Sequence, residues 1–223
     1  MVGRGNILQN NMYQEVYQKL YDHFGPQRWW PGETAFEIMV GAVLTQNTNW
    51  GNVAKAINNL KEEGVLSYEA LRLLSVDEIA ALIRPSGYYN LKAQRLRNLL
   101  DMIAERYFDD LQLFLNDSHQ GARENLLSVK GVGPETADSI LLYACEHPAF
   151  VIDMYTHRVF SRHQLVDEDT DYESMQYLFT SKLPEDLQLF NEYHALIVRV
   201  ASTYCKKKDP LCEQCPLQGV NEQ

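Results

Sequence analysis

A chain of 223 residues with 45% hydrophobic and 22% charged residues, 12 glycines and 8 prolines has globular composition, which excludes collagen-like, low-complexity and disordered classes. No apolar run approaches the ~18 residues a membrane helix needs, and the opening Met1-Val-Gly-Arg-Gly-Asn lacks a signal peptide's apolar stretch, so a soluble intracellular protein is expected. A formal charge of -10 argues against a surface that wraps nucleic acid all round, but it leaves room for a local basic face.

Apolar residues recur at helical spacing almost throughout, and no run alternates strictly, so the chain is expected to be nearly all helix. Val16, Tyr17, Leu20, Tyr21 and Phe24 form one stripe, Phe36, Met39, Val40 and Val43 a second, and Val53, Ala56, Ile57 and Leu60 a third. Ser75-Val-Asp-Glu78 has capping-box spacing and opens a helix through Ile83. Arg84-Pro-Ser-Gly87 breaks it before a helix from Leu91 to Tyr107. Helices follow over 124–129, from Pro134 to about Glu146, after Asp153, from Tyr172 to Leu183 and from Leu187 to Tyr204. At ~150 residues per domain, two compact halves are expected.

Lys130-Gly131-Val132-Gly133-Pro134 joins two of these helices. Glycines permit the positive φ of a tight turn, and Pro134 suits the first helical position. Free amides beside a helix N-terminus make an anion site that grips a phosphate without a basic side chain. Arg84, Lys92, Arg95, Arg97 and Arg106 add a locally basic segment. The alternative is a plain helix-to-helix turn, since short glycine motifs match freely.

Leu126-Leu-Ser-Val-Lys-Gly-Val-Gly-Pro-Glu-Thr-Ala-Asp-Ser-Ile-Leu142, followed by Phe150-Val-Ile-Asp153, resembles the helix-hairpin-helix, Gly/Pro-rich loop and aspartate signature of the endonuclease III superfamily of DNA glycosylases. Val43-Leu-Thr-Gln-Asn-Thr48, Ser86-Gly-Tyr-Tyr-Asn-Leu-Lys-Ala93 and His194-Ala-Leu-Ile-Val-Arg-Val-Ala-Ser-Thr-Tyr-Cys205 are similar to its other blocks, so the resemblance covers about residues 12 to 216. It implies an all-α, two-lobed fold with double-stranded DNA across the cleft. Residues 28–147 would form a six-helix barrel with the hairpin, and residues 1–27 and 148–223 a terminal helical domain with a Cys-rich loop. The resemblance further implies a monomeric, cytoplasmic, nucleoid-associated repair enzyme. Trp29-Trp30-Pro31, Gln46-Asn-Thr-Asn-Trp50 and the hairpin string are most similar to the 3-methyladenine branch.

Bifunctional members carry a lysine nucleophile two residues after the last hairpin glycine, where this chain has Glu135. A carboxylate cannot form the Schiff base of lyase chemistry, so the resemblance points to a monofunctional glycosylase that uses water on alkylated purines. Asp153 matches the catalytic aspartate: a fixed carboxylate stabilises the sugar cation and orients or deprotonates the attacking water. Read alone, Asp153 is a helix N-cap, and the two roles are compatible. A flipped base needs flat walls. Trp30 and Trp50 would supply an aromatic sandwich for a cationic ring, with Pro31 shaping the rim. On composition alone Trp29, Trp30 and Trp50 read as core or surface-lid aromatics. By the family's pattern Gln46 plugs the gap left by the base and Tyr88 wedges the opposite strand. Without the resemblance Gln46 is a helix-end polar residue and Tyr88 a packed turn aromatic.

Cys205, Cys212 and Cys215 copy the first three ligands of the family's [4Fe-4S] loop, but the fourth position holds Asn221. Three readings stand: a cluster with a non-cysteine ligand such as Asn221, Glu222 or solvent, a zinc site completed by Asp209 or Glu213, or a loop without metal. Lys206 to Lys208 read as phosphate contacts or a solvated charge run, and Cys145 as a core residue on the helix after the hairpin. Function therefore divides among an alkylpurine glycosylase, a glycosylase for another lesion or mismatch, and a non-catalytic DNA-binding module.

Overall fold

The computed structural model describes residues 4–220, which contain twelve α-helices and no strand. Contacts divide the chain into a middle unit, Trp30–His147, and a terminal unit made of residues up to Trp29 and from Pro148 onward.

In the middle unit α2 (Ala35–Leu44) is the central helix, buried along nearly its whole length. It packs against α3 (Trp50–Glu62), α6 (Tyr89–Tyr107) and α9 (Pro134–Tyr143). Full burial of each Phe, Met, Val or Leu on it contributes about 1.5 to 3 kcal/mol. The expected capping box is formed: Glu78 N–H donates to Ser75 Oγ and the Glu78 carboxylate accepts from Ser75 N–H, opening α5 (Val76–Leu82). Two short helices, α4 (Tyr68–Leu73) and α7 (Leu111–Leu115), were not expected, because a single turn is too short for a 3.6-residue period to register.

The hairpin consists of α8 (His119–Ser128) and α9. The helix after the turn ends at Tyr143 rather than near Glu146. There the chain turns left-handed at Glu146 (φ 54), with Cys145 N–H bonded to the Ile140 carbonyl and His147 N–H to that of Leu141. Cys145 is buried as expected but lies just past the helix. α8 and α9 are fastened by a two-pronged ion pair, Arg123 Nε to Asp138 Oδ1 at 2.7 Å and Nη2 to Oδ2 at 3.1 Å.

In the terminal unit α12 (Leu187–Thr203) packs against α1 (Arg4–Phe24) and α10 (Met154–Arg162), with α11 (Tyr172–Thr180) completing the set. α11 stops short of the expected Leu183. Aromatic rings fill the core: Phe150 stacks on Phe179 at 4.0 Å, and Tyr13 meets Phe179 edge-on at 4.9 Å. The Tyr193 hydroxyl donates to the Tyr13 carbonyl at 2.7 Å. Among the described residues, no helix is long and apolar enough to cross a membrane.

Because Asp138 is fully buried, removing the Arg123 guanidinium takes a two-pronged charged donor from a desolvated carboxylate. Arg123→Met is expected to lower stability by about 2 kcal/mol or more, read from urea unfolding, with the far-ultraviolet helical signal retained under native conditions.

Candidate active site and nucleic-acid interface

Three aromatic rings come together in the middle unit. The Trp30 indole lies against Gly41 on α2, where a Cβ would stand 3.4 Å from the ring, at van der Waals contact. Trp50, whose helix is capped by the Asn49 side chain accepting from Asn52 N–H, meets Trp30 edge-on at 5.3 Å with ring planes at 88°. Tyr143, at the end of α9, lies 5.1 Å from Trp30 at 43°. The two indoles therefore stand edge to face rather than as the flat, facing walls of an aromatic sandwich, a geometry that aromatic quadrupoles favour. Tyr143 was missed by sequence reasoning, because an apolar residue on a core helix carries no signal of its own. Both tryptophans are half-buried and Pro31 is exposed.

At the hairpin turn only Gly131 takes a positive φ, 99°, and a Cβ on it would fall 2.5 Å from Arg95 Cγ. Gly133 has φ -99 and is an N-cap without a side-chain partner, leading into Pro134. The expectation that all the amides before Pro134 are free needs correcting. Val132 N–H bonds the Val129 carbonyl at 3.0 Å and its side chain is buried, because the valine anchors the turn in the core. The amides of Gly131 and Gly133 make no hydrogen bond among the described residues, so the anion-binding potential of this turn rests on them. Lys130 is exposed beside them.

Gln46 does not project freely. Its Nε2 donates to the Gly131 carbonyl at 3.1 Å and to Thr136 Oγ1 at 2.9 Å, while Oε1 accepts from Arg95 Nη1. Tyr88 does project: it is 72% exposed, in a left-handed backbone conformation (φ 45, ψ 33). The expected basic segment is largely turned inward. Lys92 is buried, Arg95 holds Gln46, and Arg97 donates to the carbonyls of Arg72 and Leu74, leaving Arg84 and Arg106 exposed.

Asp153 lies in the terminal unit as the N-cap of α10. Its Oδ1 accepts from Thr156 N–H at 2.7 Å and from Thr156 Oγ1 at 2.9 Å, and its Oδ2 stands 3.4 Å from His194 Nε2 on α12. The Asp153 side chain is 11% exposed. Burial alone would push its carboxyl up, but the contact with His194 and the hydrogen bonds from Thr156 outweigh it and hold the group below the ordinary carboxylate range. The helix cap uses Oδ1, and Oδ2 faces His194. His194 was not identified as this partner, since nothing in the sequence pairs residues on two separate helices.

Cys205, Cys212 and Cys215 line one cavity of about 390 Å³, together with Arg162, His163 and Glu213. Arg162 Nη1 lies 3.4 Å from Cys205 Sγ and donates to the Lys206 carbonyl at 2.7 Å. Among the described residues, no group of three or more His, Cys, Asp or Glu side chains is gathered to hold a metal ion, so the zinc reading finds no preformed site. Three thiols do not complete the four-thiolate set of a [4Fe-4S] cluster. Asn221 and Glu222 lie outside the described residues.

Because the folded carboxyl of Asp153 titrates below its unfolded value, its ionised form stabilises the fold at pH above about 3.9, and that contribution is lost as pH falls through the folded value. Asp153→Asn, which keeps a capping oxygen, is expected to unfold at lower urea than wild type from pH 7 down to about pH 4, with the gap closing only below that as pH falls through the folded value. Urea midpoints from pH 7 to about pH 2 measure it.

A family model described as the HhH-GPD superfamily base excision DNA repair protein matches residues 40–185. The chain is 48% identical over 93% of its length, and 94% of the relative's, to protein MJ1434 of Methanocaldococcus jannaschii, named provisionally as a DNA repair glycosylase. The solved structure of the Helicobacter pylori 3-methyladenine DNA glycosylase bound to 1,N6-ethenoadenine superposes with a TM-score of 0.72 at 30% identity, covering 87% of this chain and 97% of that one. A non-covalent endonuclease III–DNA complex superposes with a TM-score of 0.81 at 21% identity, over 95% and 94% of the two chains, a likeness of fold. With its helix-hairpin-helix, its Gly-Val-Gly-Pro turn and the aspartate that follows, the chain belongs to the HhH-GPD superfamily of base excision DNA repair proteins, within the endonuclease III group.

Proposed function

We propose that the protein is a monofunctional DNA glycosylase that removes alkylated purines by base flipping and water attack at C1′. The observation that carries this reading is the Asp153 carboxylate, held ionised with little solvent and with one oxygen free of the helix cap. Breaking an N-glycosidic bond builds positive charge on the sugar. A fixed anion beside that charge lowers the barrier, and the same oxygen orients or accepts a proton from water. A purine methylated at N3 or N7 is already cationic, so no general acid is required to release it.

Trp30, Trp50 and Tyr143 form an electron-rich group that suits such a ring, an attraction of about 0.5 to 2 kcal/mol for a cation against an indole face. The purine adduct named for the Helicobacter pylori relative supports the same substrate class. The Gly131 and Gly133 amides, with Lys130, suit a phosphate, and exposed Tyr88 suits a stacking wedge. Gln46 is assigned to the gap left by the flipped base, where it enters by exchanging its bonds to the hairpin for bonds to the orphaned partner. Glu135 is exposed at the position where lyases carry lysine, and a carboxylate cannot form a Schiff base. The cysteine loop takes part in no step.

Release of free base is measured on duplexes carrying 3-methyladenine, 7-methylguanine, 1,N6-ethenoadenine, an oxidised purine or a G·T mismatch, with borohydride present in parallel. Release from the alkylated purines without a trapped adduct is expected. Activity confined to the mismatch or the oxidised purine rejects the substrate class, and a covalent adduct rejects the assignment of Glu135.

A further inference from the structure

One buried charge is unexplained by this mechanism. Lys92 on α6 is 1% exposed and, among the described residues, pairs with no carboxylate. Burying an ammonium is costly unless strong acceptors receive it. Its acceptors are two backbone carbonyls, Leu44 at 2.8 Å and Ser86 at 2.6 Å. Burial, followed by the nearby Arg95 charge, lowers its pKa to about 8.

Both acceptors have telling positions. Leu44 ends α2, two residues before Gln46, and Ser86 ends the short 3₁₀ turn, two residues before Tyr88. Each is the carbonyl end of a helical segment, where a cation is favoured. The Ser86 turn runs through Gly87 (φ 67) into Tyr88 (φ 45), a left-handed conformation that is costly for a non-glycine residue and persists only when its surroundings impose it. The same helix continues the pattern. Arg95, one turn on, holds the Gln46 amide and packs over Gly131, and Asn98, a turn further, donates to the Lys130 carbonyl at 2.9 Å.

We propose that Lys92 is a positioning residue whose ammonium, bonded to the Leu44 and Ser86 carbonyls, sets the spacing between the turn that carries Gln46 and the turn that carries Tyr88. The two side chains then reach a distorted duplex together. This inference rests on the gap-filling roles given above to Gln46 and Tyr88.

The test is a double-mutant cycle on binding to a duplex with a tetrahydrofuran abasic site, made with the full chain. Lys92→Met is expected to weaken binding about tenfold while the helical signal is kept, and to cause no further loss in a Gln46→Ala/Tyr88→Ala background. Lys92→Gln, which retains an N–H donor, is expected to recover part of the affinity, and it carries the cycle if Lys92→Met does not fold. An equal loss in both backgrounds means that Lys92 only supports the fold, and no loss in the wild-type background removes the anchor; either result overturns the inference alone. If Gln46→Ala/Tyr88→Ala itself binds as wild type, the gap-filling reading has failed and this inference falls with it.

Discussion

A carboxylate withdrawn from water stays ionised only when donors replace the water it has lost. Asp153 has the Thr156 amide and hydroxyl on one oxygen and the His194 ring against the other. The arrangement follows from elementary helix chemistry. A helix begins with unpaired N–H groups, an aspartate at the N-cap receives one of them, and the positive end of the helix favours the anion. The same contacts that start α10 therefore hold an acid in its charged form, and α12 contributes the histidine that completes the site. Structural capping and the proposed chemistry use different oxygens of one side chain.

The middle unit solves a different problem, which is to keep short turns rigid without burying them. Backbone groups in exposed turns are bonded by water unless something on the protein side takes them. Helix α6 takes them here with Lys92, Arg95 and Asn98, three side chains on successive turns that reach the Leu44, Ser86 and Lys130 carbonyls and the Gln46 amide. Gly131 is required at the closest approach, where any side chain would collide with Arg95. The hairpin turn, a projecting tyrosine and a glutamine head are thus tied to one helix.

Local rules were legible in the sequence. The Ser75–Glu78 capping box, Pro134 at the first position of α9 and Asp153 as an N-cap depend on neighbours within a few residues, and each is formed as read. What could not be read depends on tertiary neighbours. Lys92 counts as a surface charge on an amphipathic helix until the ends of two other segments are known to converge on it. The Trp30–Trp50 angle depends on how residues before α2 and the start of α3 meet, and the His194 contact on how α12 packs against α10. Composition suggested a basic stretch around residues 84–106, but the fold uses its central cations internally.

In the proposed reaction base release depends on the charge at Asp153, and single-turnover base release from a 7-methylguanine duplex by Asp153→Asn tests this most directly. Asparagine keeps the cap and the shape while removing the anion, so abasic-duplex binding should be retained and release should fall by about a hundredfold or more. Release at the wild-type rate by a folded Asp153→Asn protein would contradict it.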